Sequence, residues 1–271
     1  MGHAMTSFGR LTYRLASTLA LIALVAGCSS DDGGDGGGGN VLSLNAAVGG
    51  LWAGQTQISE QGTYSLLGLI AEDGRAYFLQ DDGVMYWGPA QSKVSQITAT
   101  MVGAGLYGNP LWDESSSGTA TVTGTIRARD SISANSTFVT RYGSRTTSTT
   151  ALTDVPMYED DSSLDVIAGN YWDATEYFEG VLNIASNGQI FLQDPYTGCV
   201  VNGRVGIINA AYNIYDVQFT YNNCDLDFSE FNGVTFTGLA SYDKDRKELI
   251  ALVTATVEGR PYPDFLIFER E

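Results

Sequence analysis

The chain has 271 residues, 44% of them hydrophobic and 17% charged, enough for one large or two small packed domains and too apolar for disorder throughout. Asp and Glu outnumber Lys and Arg by 31 to 14, a net charge of −17. That balance excludes nucleic acid as an expected partner, because phosphate backbones are bound by basic surfaces.

The first predicted element is an export signal. Residues 1–14 carry Arg10 and Arg14 and no acid, and an apolar run follows from Leu15 to Val25. A spanning helix needs about 20 such residues, a signal-peptide core about 7–15. The run ends in Leu24-Val25-Ala26-Gly27-Cys28, which resembles the lipobox of bacterial lipoproteins: a branched residue, small residues, then the acceptor cysteine. The resemblance implies a diacylglycerol thioether on Cys28, cleavage after Gly27 and acylation of the new amine. The chain's one histidine, His3, then leaves with residues 1–27. Met1-Gly2 and Thr6 also fit an N-myristoylation pattern, a reading set aside because that segment is removed. Residues 28–40 form the lipidated cysteine and a Gly/Asp-rich tether, whose coil dimension is roughly 19 Å. Ser29 follows the cysteine where an Asp would signal inner-membrane retention, so the sorting pattern implies the outer membrane. The stretch Asp31-Asp-Gly-Gly-Asp35 lacks the alternating ligand spacing of an EF-hand.

Two β-rich units follow. A first domain is expected over 41–153, an acidic linker over 154–165 and a second domain over 166–271. Gly50-Leu-Trp52 is matched by Gly169-Asn-Tyr-Trp172, Phe78-Leu-Gln-Asp81 by Phe191-Leu-Gln-Asp194, and Thr121-Val-Thr-Gly124 by Thr235-Phe-Thr-Gly238. The kept order reads as a tandem duplication of about 47–150 and 166–271. Apolar and polar residues alternate along Ala120–Arg129 and Tyr215–Asn222, the period of half-buried strands. Turn signals recur at Glu72-Asp-Gly74, Asp81-Asp-Gly83, Ser186-Asn-Gly188 and Asp243-Lys-Asp245.

The fold class is therefore all-β, two tandem antiparallel units of about eight strands each. In the second unit strands are expected near 170–175, 180–184, 189–193, 198–205, 214–221, 233–241, 248–257 and 263–269. Small up-and-down barrels suit this pattern, since closure removes sheet edges; sandwiches are the alternative. Gly124, Ala128, Gly238 and Ala240 are expected inside, leaving little room for a ligand. Leu249–Val253 and Phe265–Phe268 are apolar on both faces, so the units are expected to pack on each other there.

Cys199 and Cys224 lie near the ends of one predicted hairpin that folds about Ala211 and Tyr212. In an exported chain they are a disulfide candidate, with two free thiols as the other reading. The second unit alone has them.

The chemistry is bounded mainly by exclusion. Without histidine, Ser-His-Asp and Cys-His nucleophiles are ruled out, as are His-ligated zinc and haem. The sequence holds only Lys93, Lys244 and Lys247 for Schiff-base chemistry, and no nucleotide-binding loop. No cofactor, metal or catalytic residue is expected. Carboxylates remain, and glycosidases need just two. Asp225 and Asp227 as an i,i+2 strand pair, and Glu176 and Glu179 beside Trp172, Tyr177 and Phe178, are the candidates; solvated surface is the plainer reading. Arg127, Arg129, Arg141 and Arg145 gather late in the first unit, suiting anionic headgroups, an acidic partner, or simply a polar exterior or a contact with the second unit.

Lipobox, Gly-rich tether and tandem barrels together resemble, in layout alone, tethered surface lipoproteins of the transferrin-binding protein B and factor H-binding protein groups. Gly198-Cys-Val-Val-Asn-Gly203, Asn213–Val217 and Phe236–Ala240 resemble stretches of uncharacterised proteobacterial exported proteins. The expected function is an outer-membrane-anchored, non-enzymatic binding or envelope-structural module. Its partners would be the membrane, through the lipid anchor, and a protein or glycan of the envelope. The alternatives are a carboxylate-dependent glycan hydrolase and a lipocalin-like carrier of a small ligand.

Overall fold

A computed structural model describes residues 48–174 and 179–271. The signal segment, Cys28, the tether and Glu176 lie outside the described residues. The first unit consists of β1 (Gly50–Ile58), β2 (Gly62–Ile70), β3 (Arg75–Gln80), β4 (Val84–Lys93), β5 (Gln96–Gly105), β6 (Gly118–Arg127), β7 (Ser131–Thr140) and β8 (Arg145–Asp154). The second consists of β9 (Gly169–Asp173), β10 (Leu182–Ile184), β11 (Gln189–Gln193), β12 (Val200–Ile207), β13 (Tyr215–Asn222), β14 (Thr235–Asp243), β15 (Glu248–Val257) and β16 (Arg260–Arg270). Each unit closes into an antiparallel up-and-down barrel, β1 pairing with β8 and β16 with β9, so the sandwich alternative is excluded. The connection holds a 3-10 turn, Pro156–Glu159, and a one-turn helix, Leu164–Ile167.

Period-two alternation builds each lumen. Along β13, Tyr215, Val217, Phe219 and Tyr221 point inward; along β6, Ala120 and Ile126 are buried. Gly124 and Gly238 sit where the next strand passes closest: a Cβ would lie 2.3 Å from the Ser133 carbonyl or 2.0 Å from that of Leu252. Ala240 is inside as expected, but Ala128 is exposed because β6 ends at Arg127.

The repeated strings fall on equivalent strands, with a shift of one residue in two of them. Tyr171, not Trp172, is the counterpart of Trp52. Both are fully buried, and each donates a hydrogen bond to the carbonyl four residues back, Val48 for Trp52 and Ile167 for Tyr171. Phe78 faces its lumen while Phe191 is 48% exposed and Leu192 faces inward. A one-residue slip reverses every side chain of a strand, so identical tetrapeptides here present opposite faces.

β16 begins at Arg260, earlier than predicted, despite Pro261 and Pro263. The Ile267 carbonyl accepts from Ala174 on the β9 side and the Arg270 amide donates to Lys247 on the β15 side. Odd-numbered residues of β16 therefore turn their backbones away from β15, and the prolines remove no bond from that ladder. Only Phe268–Arg270 pair with β9.

The barrels share a third apolar core. Leu51, Leu67, Leu69, Leu79 and Met85 of the first meet Leu239, Ile250, Leu252, Phe265 and Ile267 of the second. This explains why β15 and β16 are apolar on both faces. Arg75 crosses the junction to Asp216 at 2.5 Å. Arg129 lies beside the stacked rings of Tyr158 and Tyr212, 4.2 and 4.6 Å from their centroids, and pairs with Glu159.

Candidate functional site

The residues singled out from sequence do not assemble into one site. Asp225 and Asp227 are not on a strand. Asp225 precedes, and Asp227 lies within, a 3-10 segment, Leu226–Phe231, and both are exposed, so they share no strand face. Glu179 is exposed, its amide donating to Asp194, and Glu176 lies outside the described residues. The arginines disperse: Arg127 and Arg129 are at the β6–β7 turn, Arg141 and Arg145 at the β7–β8 turn, at opposite ends of β7. Among the described residues no three His, Cys, Asp or Glu side chains group as a metal site would require. Both lumens are nearly full, with cavities of about 80 Å3 in the first barrel and 40 Å3 in the second.

Cys199 and Cys224 form the disulfide. β12 and β13 fold about Ala211, pairing Val200 with Asn222, one residue short of placing the cysteines opposite each other. Asn223 takes up the extra residue in a left-handed conformation, φ 56°, which Asn tolerates better than most side chains. The bridge pins the start of the loop from Asn223 to Val234. Asn232 holds the same point, its side-chain oxygen accepting from the Cys224 amide and its side-chain nitrogen donating to the Cys224 carbonyl.

That loop forms one wall of a cavity of about 560 Å3 at the junction of the barrels. The second barrel contributes Tyr221 from β13, Phe228 and Phe231 from the loop, Phe236 from β14, and Tyr262 and Asp264 from β16. Their rings form a connected group. Tyr221 lies 5.9 Å from Phe231 and 5.5 Å from Phe236, and Tyr262 lies 5.3 Å from Phe231 and 6.0 Å from Phe236. The first barrel contributes two loops, Asp81–Val84 and Gly105–Pro110. The Leu106 amide donates to the Gly83 carbonyl and ties them together. Gly108, at φ 70°, lies against Tyr262, where a Cβ would be 3.3 Å from the ring.

Asp264 occupies the inward face of β16 between Tyr262 and Leu266, 7% exposed, and one of its oxygens has no hydrogen-bond partner. Burial, reinforced by the nearby Asp173, pushes its carboxyl up to about 7. Burial also raises the Tyr221 phenol, with Asp264 among the charges that add to this. No Lys, Arg or His is among the described residues lining the cavity, and its cysteine, Cys199, is bridged. Such walls offer aromatic faces and carboxyl groups to a ligand. The sequence carried one signal for this site that periodicity alone passed over: a single charge, Asp264, in the inward series Tyr262, Asp264, Leu266, Phe268.

No family model and no curated protein matches the chain. Among solved structures, a protein of Bacteroides fragilis assigned provisionally to the outer membrane aligns over 84% of this chain and 100% of its own length. The sequence identity is 12% and the TM-score 0.29, too low for the likeness to bear on fold or function.

Proposed function

We propose that the mature protein is held at the outer membrane through acylated Cys28 and acts there, without catalysis, by holding a small ligand between its barrels. The observation that carries this reading is the cavity of about 560 Å3, walled by both barrels and edged by a buried, incompletely partnered carboxyl. Ligand sites commonly measure about 300–1,000 Å3, are mostly apolar, and hold a few convergent polar groups. The site lies at the mouth of the second barrel, where its inward-facing Tyr221, Phe236, Tyr262 and Asp264 meet the turns of the first. The lipobox resemblance supports the anchor, and the absence of histidine from residues 28–271 supports a non-enzymatic role.

Native mass spectrometry of the full chain isolated from its own cells tests this. A reproducible non-covalent mass is expected, diminished in Tyr262→Ala and Phe236→Ala variants that keep their barrel circular dichroism. The bare chain under every growth condition, or a mass indifferent to both substitutions, would overturn the reading.

A further inference from the structure

We infer that the junction cavity takes a small organic cation, such as an amine or quaternary ammonium, with Asp264 as counter-ion and Tyr221, Phe231, Phe236 and Tyr262 as its aromatic cage. The inference rests on the reading of this cavity as a binding site and names the ligand class.

Three independent features converge on positive charge. The first is the charge of the walls: Asp81, Asp82 and Asp264 line the space, and no basic side chain is among the described residues facing it. Asp173 and Asp194 stand close enough to act on Asp264 and Tyr221 from behind. An anionic ligand would meet only like charge. The second is Asp264 itself, a carboxyl side chain only 7% exposed that lines the space. A neutral, apolar occupant would deepen the burial of its charge, whereas a cation offsets that charge. The third is the cage. Four rings connected at 5.3 to 6.0 Å stand beside that carboxyl. Aromatic faces carry the negative end of a quadrupole and attract cations, most strongly where water is excluded.

Only one barrel can supply such a cage. The loop bearing Phe228 and Phe231 is pinned by Cys199–Cys224, and the first barrel has no such bridge. The first barrel instead supplies the acidic turn Asp81–Asp82 and the small residue, Gly108, that lets the cavity wall approach Tyr262.

The experiment is calorimetric titration of the full chain with choline and with 3,3-dimethylbutan-1-ol, its uncharged carbon isostere, followed by tetramethylammonium and a series of primary amines. At least one cation should bind, and it should bind at least tenfold more tightly than its neutral isostere. Asp264→Asn should bring that ratio close to one while leaving thermal stability unchanged or raised, since it removes a charge burial opposes. Should Asp264→Asn fail to fold, the cation-to-isostere ratio in the unaltered chain still decides. A neutral isostere that binds as well as the cation would overturn the cationic assignment and leave the binding reading in place. No binding by any cation, with a non-covalent mass still present in native spectra, would do the same. Bare spectra together with silent titrations would remove both.

Discussion

Replacing Glu72 by Gln should stabilise the protein in mildly alkaline solution and do little in acid. Glu72 sits in the β2–β3 turn, 8% exposed, and neither of its oxygens has a hydrogen-bond partner. Gly49 faces it so closely that a Cβ there would lie 2.6 Å from Oε1 and 2.4 Å from the equally unpartnered hydroxyl of Tyr158. Burial raises the carboxyl from 4.5 to about 7, opposed by the nearness of its own backbone amide and by Arg129, and reinforced by Asp73 and Glu159. An acid whose folded pKa is raised contributes stability that is fully present below pH 4.5. That contribution is lost progressively as pH climbs through about 7. At about 1.4 kcal/mol per pH unit the full loss is about 3 kcal/mol. For a protein of this size that corresponds to roughly 6–12 °C in Tm. Glu72→Gln removes the ionisable group and leaves a neutral side chain of the same shape. Thermal melts at pH 5 and pH 8 should show the variant ahead by about 3 kcal/mol at pH 8 and by about 1 kcal/mol or less at pH 5. An advantage equal at both pH values, or a variant weaker at pH 8, would refute the argument that an ionised, unpaired Glu72 is what the fold tolerates there.

Three further outcomes follow from the same geometry. Replacing both Cys199 and Cys224 by Ala releases a loop with a sequence separation of 25 residues. It should lower stability by about 3–4 kcal/mol on the chain-entropy model, and cation affinity should fall with it as the Phe231 loop loosens; unchanged chemical denaturation would contradict this. Gly238→Ala places a methyl 2.0 Å from the Leu252 carbonyl and 2.7 Å from the Val253 Cα. Denaturant melts should show about 1–3 kcal/mol of overpacking; a neutral effect would mean that β14 and β15 can part more readily than their register implies. Cys28→Ser should take up no radioactive palmitate and keep residues 1–27, whereas labelling and fractionation like the unaltered chain would remove the anchor from the account.

The alternation of apolar and polar residues carried most of the fold. Strand β15, Glu248–Val257, and strand β11, Gln189–Gln193, coincide with their predicted limits, because both are bounded by turn-forming residues and alternate or run apolar without interruption. Repetition located equivalent strands and misjudged their register. In the first strand of each barrel Tyr171 replaces a buried Trp52, and the tryptophan one place later faces outward. The string Phe-Leu-Gln-Asp hides a similar slip, since an identical tetrapeptide does not say which face is turned inward. Asp225 and Asp227 have the i,i+2 spacing of a shared strand face, yet they fall between the predicted strands 214–221 and 233–241, where Leu226–Phe231 forms a 3-10 segment. Apart from the lone charge of Asp264, the cavity leaves no mark in the sequence: Tyr221, Phe231, Phe236 and Tyr262 read individually as ordinary core aromatics. What joins them to Asp81–Val84 and Gly108 is the docking of one barrel on the other, a contact remote in sequence.

The central claim is that a ligand is held at the mouth of the second barrel, beneath the turns of the first. The most direct measurement is amide chemical-shift mapping on the isotopically labelled full chain, titrated with a mixture of small organic cations. The account predicts shifts confined to Gly83, Leu106–Gly108, Tyr221, Phe236 and Tyr262–Leu266, the two sides of the junction cavity. Shifts centred instead on Phe78, Met101 and Ile132, which line the lumen of the first barrel, or no shifts with any cation, would contradict it.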